Sequence, residues 1–233
     1  MTWRVVVDQL FPDGHDVAQR EGLLLGTGRC DPHTVAVIGT AQHATIGVEL
    51  CVDLAGGVLR TVREHPGRPL LLLVDTDGQR PRHRDELLGI PRYMAHVARS
   101  IALARARGHR AIGLIYGHAF SGGILATGMA ADTCVALPGA QIQAMALPAM
   151  ARITRIPEAR LRALAQTSPL LDSVADAFLR LGAIERIWDG DLAQRLRAEL
   201  ARDARGDTRA RLGHDRGGRL LAQSVMARAA GEA

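Results

Sequence analysis

Two loops in this 233-residue chain carry residue types that could do chemistry. The first, Val74-Asp75-Thr76-Asp77-Gly78-Gln79, follows a run of leucines. The second, Tyr116-Gly117-His118-Ala119-Phe120-Ser121-Gly122-Gly123, follows another apolar run and opens a stretch with helical spacing. Glycine lets a backbone reach positive φ and lets a ligand approach closely. Free N–H groups at a strand-to-helix turn bind anions and stabilise an oxyanion. The chemistry expected of both loops is therefore backbone donation to negative charge. The second loop also holds Ala119-x-Ser121-x-Gly123, a variant of the G-x-S-x-G nucleophile elbow, with His118 nearby. A hydrolase of that type needs an acid and then a histidine after its serine. Asp132 and Asp172 follow Ser121, but the histidine that follows is His214, in an Arg-rich segment. Neither loop has the glycine pattern of a dinucleotide site or a P-loop.

Composition narrows the chemistry further. The chain has no lysine, so all 29 basic residues are arginine. This excludes a Schiff-base lysine, a Walker P-loop and a biotinyl or lipoyl attachment site. The net charge is +5, but aromatics make up only 3% of residues, too few for a base-stacking surface, so no nucleic-acid partner is expected. The cysteines Cys30, Cys51 and Cys134 are far apart, and no H-x₃-H or HExxH pattern occurs, so neither a disulfide framework nor a metal site is expected. No apolar stretch is long enough to cross a membrane. The first residues are too acidic for a signal peptide, which leaves the cytoplasm as the expected compartment.

The elements that must position the loops are legible as apolar runs. Thr34–Gly39, Leu70–Val74 and Ala111–Tyr116 read as buried strands, and Thr133–Leu137, Ala140–Met145 and Ala183–Trp188 as shorter ones. Gly47–Glu64 and Tyr93–Arg107 have helical spacing, and Gly108 ends the second. Asp75–Pro91 reads as a polar loop, and a helix of small residues begins near Ile124. Pro157–Gln166, Ser173–Leu181 and Asp191–Arg205 read as helices. The order predicts an α/β fold with a largely parallel sheet. Residues 1–200 are expected to form one domain, and 201–233 an Arg-rich helical or mobile tail.

The pieces GTGRCDPHTVAVIG, RPLLLLVDTDGQ, AIGLIYGHAFSGGILATGMAADTCVALPGAQIQAM and LRLGAIERIWDG together resemble the carboxyltransferase branch of the crotonase-like superfamily. Asp77 stands where that branch has proline, and Gln79 where it has a small or aromatic residue. The stretch MALPAMARITRIPEARLRALAQTSP resembles the gamma subunit of malonate decarboxylase. The resemblance implies a crotonase-like spiral of β-β-α units with flanking C-terminal helices, not a doubly wound sheet. It implies partners: a homologous beta subunit, an acyl carrier protein and a carrier-transferase subunit. It implies decarboxylation of a malonyl thioester carried on a CoA-derived, phosphopantetheine-type group of the carrier protein, with no cofactor covalently bound to this chain. By analogy, Gly78 and Gln79 would offer N–H groups to the carboxylate, with Gly122 and Gly123 supporting the site. A carboxyltransferase subunit working with biotin, and a hydrolase using Ser121, remain open.

Overall fold

A computed structural model describes residues 1–145, 147–166, 174–202 and 206–231. The chain opens with α1 (Trp3–Leu10), β1 (Ala18–Arg20), β2 (Leu23–Cys30), β3 (His33–Thr40) and β4 (Thr45–Ile46). Helix α2 (Val48–Glu64), β5 (Leu70–Thr76), β6 (Gly78–Gln79), α3 (His83–Leu87) and α4 (Ile90–Ala106) follow. Then come β7 (Ala111–Phe120), α5 (Ser121–Ala126), β8 (Thr133–Ala136) and β9 (Gln141–Gln143). The remainder is α6 (Leu147–Thr154), α7 (Glu158–Ala165), α8 (Ala175–Arg180), β10 (Arg186–Ile187), α9 (Leu192–Ala201), α10 (Arg209–Asp215) and α11 (Ala222–Ala230).

The main sheet runs β1-β2-β3-β5-β7-β8-β10, with β9 paired to the far end of β7. From β3 onward the pairings between these strands are parallel, while β1, β2 and β3 form an antiparallel edge. Strands β4 and β6 leave the main sheet and pair with each other in a small parallel sheet. The chain therefore repeats one turn: a strand in the main sheet, a short strand in the second sheet, then a helix. The units β3-β4-α2 and β5-β6-α4 are two such turns, which is the expected spiral.

The pattern of apolar residues explains the layers. All seven residues of β5 are buried, because helices cover both faces of the sheet. On one side pack Val6, Val7 and Leu10 of α1 with Leu192 and Leu196 of α9. On the other lie Leu54 and Val58 of α2 with Met94, Val97 and Ile101 of α4. All three cysteines are buried as free thiols. Desolvation raises Cys30 and pushes Cys51 and Cys134 up to about 12.

Some elements depart from the sequence reading. The opening residues, which show no clear periodicity, form α1 and the antiparallel edge. The polar loop from Asp75 to Pro91 contains β6 and α3, and α4 begins at Ile90 because proline fits the first turn of a helix. The small-residue helix starts at Ser121 and ends at Ala126. Helix α8 starts at Ala175; Asp172 and Ser173 lie outside the described residues.

An ion network fixes the C-terminal elements. Glu199 on α9 is 2% exposed and accepts hydrogen bonds from Arg110 (2.7 Å), Arg186 (2.6 Å) and Arg202 (2.7 Å). Beyond it, α10 lies against the turn after α8, where Arg216 donates to the carbonyls of Leu179, Ile184 and Glu185.

Candidate active site

The carboxyl ends of three adjacent parallel strands, β3, β5 and β7, meet at one point. They are tied together there: the Asp75 N–H donates to Thr40 Oγ1 (3.1 Å), and the Tyr116 hydroxyl donates to the Thr40 carbonyl (2.8 Å). The β5–β7 register then breaks. Val74 pairs with Ile115, but Thr76 pairs with Ala119, so β7 bulges over Tyr116, Gly117 and His118. A bulge re-aims the side chains around it. Gly117 makes this one possible, since a Cβ there would sit 2.4 Å from Asp75 Oδ1.

The bulge closes a cluster of two histidines and two carboxylates. Asp75, whose side chain is 7% exposed, accepts from the His118 N–H (2.9 Å), the His43 N–H (3.1 Å) and His43 Nδ1 (2.6 Å). His118 Nδ1 donates to Asp77 Oδ1 (2.7 Å). The two imidazoles stack with centroids 3.8 Å apart, and Phe120 stacks on the other face of His118 at 4.6 Å. His118 and Phe120 are two apart on one strand and so share a face. His43 is presented by a turn in which Gln42 and His43 both take positive φ.

Beside this cluster opens a pocket of about 560 Å³, within the range that holds a small ligand. His43, Asp75, Tyr116 and His118 line one wall, and Leu137, Trp188 and Asp189 another. Atoms of His43, Asp77 and His118 that could bind a metal lie within 4.8 Å of one another. Stacked, near-parallel rings aim their in-plane nitrogens side by side, whereas a tetrahedral ion needs them to converge. Both Nδ1 atoms also already face carboxylates. The arrangement suits proton handling better than metal ligation.

None of Gly78, Gln79, Gly122 and Gly123 lines this pocket. Gly78 is buried at φ +89, and its N–H donates to Thr76 Oγ1 (3.0 Å). A Cβ on Gly78 would lie 2.7 Å from the Phe120 carbonyl, so packing alone demands glycine there. Gln79 is half-buried in β6, and its side chain donates to Glu86 (2.6 Å). Gly122 is half-buried beside Met94, and Gly123 is buried against Thr76 and Ile46. Ser121 has φ +55, the left-handed turn an exposed nucleophile also uses, and no side-chain bond caps α5.

Sequence reasoning noted His118 in the second loop without giving it a role, and overlooked His43. The available signal was its position: a polar residue just past a buried strand, level with Asp75 and His118 past the neighbouring ones. In parallel sheets ligands bind outside the carboxyl ends of the strands.

The spiral defines a fold class, the one that crotonase-fold carboxyltransferases share. Transcarboxylase 12S has the same fold, with a TM-score of 0.72 at 19% identity over 87% of this chain and 42% of that one. Residues 41–233 match the model of the malonate decarboxylase gamma subunit, and the chain belongs to that family. A Pseudomonas malonate decarboxylase hetero-tetramer, solved with coenzyme A, superposes with a TM-score of 0.74. The two are 29% identical, over 98% of this chain and 96% of that one. The malonyl-S-ACP:biotin-protein carboxyltransferase of Malonomonas rubra is 31% identical over 204 residues, 78% of this chain and 70% of the relative.

Proposed function

We propose that this chain is one half of a two-subunit decarboxylase that converts malonyl-S-acyl carrier protein to acetyl-S-acyl carrier protein and CO₂. The observation that carries this is the family match over residues 41–233, joined to a pocket whose wall carries two histidines. Losing CO₂ from a β-carboxy thioester leaves an enolate, so the catalyst must stabilise an oxyanion and keep the departing carboxylate out of water. This chain would meet the carboxylate end through the loop from Asp77 to Gln79, with Gly122 and Gly123 holding that loop in place. Because the Gly78 N–H is bonded to Thr76, it would exchange that partner for the ligand. A homologous beta subunit would hold the thioester carbonyl, and the phosphopantetheine-type arm would belong to the carrier protein.

The C-terminal helices would supply part of the subunit contact. Helix α6 buries none of its residues, and Met145, Ile153 and Leu164 are exposed on and around α6 and α7. Obligate partners of this kind bury more than about 2,000 Å². The excess of arginine would draw an acidic carrier protein and raise its on-rate in a salt-dependent way.

The test is to assay malonyl-thioester decarboxylation by this chain with and without the beta subunit, across a salt series. Activity is expected only from the pair. Full activity from this chain alone would refute the half-site reading, and salt-independent kinetics would refute the steering. The relationship to a biotin-protein carboxyltransferase favours a second reading, transfer of the carboxyl group to biotin. Formation of carboxybiotin in place of free CO₂ would establish it.

A further inference from the structure

The decarboxylase reading leaves one step without a residue. When CO₂ departs, the carbon–carbon bonding pair stays on the α-carbon of the thioester enolate, and that carbon must take up a proton. We propose that His118, held by Asp77 and stacked between His43 and Phe120, is the acid that donates it. The inference rests on the decarboxylase reading. The imidazolium gives the proton from Nε2, a C–H bond forms, the imidazole is left neutral, and solvent restores the proton for the next turnover.

The geometry selects His118 among the ionisable side chains of the pocket wall. The oxygens of Asp75 are occupied by three N–H donors. The Tyr116 hydroxyl already donates to the Thr40 carbonyl. Asp189 is an exposed carboxylate that accepts from the Gly190 N–H. His43 lies on the solvent side, with half of its side chain exposed, and its Nδ1 is committed to Asp75. His118 is three-quarters buried, and its Nδ1–H is fixed on Asp77, which leaves Nε2 to face a ligand. Asp77 precedes Gly78 in the chain, so the acid is tethered to the loop that would receive the carboxylate. His43 is then a positioning residue, which holds Asp75 and the bulge that presents His118.

The test uses the heterodimer with malonyl thioester. In His118→Gln, kcat is expected to fall by about 10²-fold or more, the scale of general acid catalysis, with KM within about threefold of wild type. His118→Ala opens a gap between His43 and Phe120 that added imidazole can enter. Imidazole is expected to restore turnover, whereas thiazole, equal in shape but unprotonated at neutral pH, is not. Retention of more than about a tenth of wild-type kcat in His118→Gln would overturn the proposal. So would rescue by thiazole equal to that by imidazole, or rescue by neither. A wild-type pair that does not decarboxylate the thioester would instead refute the function on which the inference rests.

Discussion

Replacing Gly117 by alanine tests the architecture of the site without touching a polar group. The new methyl would stand 2.4 Å from Asp75 Oδ1 and 2.7 Å from its Cγ, so the carboxylate must move by about 1 Å to restore van der Waals contact. That shift breaks its bonds to the N–H groups of His43 and His118, which cannot follow because they belong to the backbone. Each bond to a charged acceptor is worth about 1.5–3 kcal/mol. The bond to the His43 ring adds little, since that ring is half-exposed and returns to water. The sum is about 3–6 kcal/mol, or a fall in Tm of roughly 6–24 °C for a chain of this length. Gly56 is the internal control: it lies within α2 with nothing within 4 Å of its would-be Cβ. Gly56→Ala should therefore raise stability by about 1 kcal/mol through helix propensity. Thermal or urea unfolding of the two variants gives opposite signs if the reasoning holds. A double-mutant cycle with Asp75→Ala should show coupling of at least about 2 kcal/mol, because the methyl then meets no carboxylate. Additive effects, or a Gly117→Ala protein that melts with the wild type, would refute the account of the bulge.

Three further outcomes follow from particular contacts. Glu199→Ala should destabilise the chain by about 3–5 kcal/mol in urea unfolding, because it removes the buried acceptor that Arg110, Arg186 and Arg202 share. Ser121→Gly should keep the fold and at least a tenth of the activity, since glycine suits φ +55 better than serine; fluorophosphonate labelling of the wild type would revive the hydrolase alternative. Arg209 holds Asp207 down at about 2 from 3.8, so its contribution is complete above about pH 4 and is lost as pH falls toward 2; its exposure keeps the effect below about 1 kcal/mol, and acid titration of Asp207→Asn beside wild type should show a smaller loss for the variant.

The sequence announced the parts whose burial is uniform. Leu70–Val74 could only be a strand covered on both faces, and the spacing from Val48 to Val62 could only be a helix with one apolar stripe. The opening segment was opaque because α1 is short and its neighbours β1 and β2 mix buried with open positions. The glycine loops were visible, but their jobs were not. Gly117 and Gly78 look alike in sequence, yet one clears a carboxylate and the other clears a backbone carbonyl. The His43–His118 stack was invisible because 75 positions separate its members, and a register shift in β7 brings them together.

The silence of the native thiols has a practical consequence. With Cys30, Cys51 and Cys134 enclosed and protonated, maleimides should find little to attack in the folded chain. A cysteine introduced at an exposed position such as Val52 or Leu125 would then react by itself, with no prior removal of the others. Pairs of such sites, one on α2 and one beside Ile153, would carry spectroscopic reporters. These could follow how the C-terminal helices move when a second subunit arrives, on the unaltered background of the natural sequence.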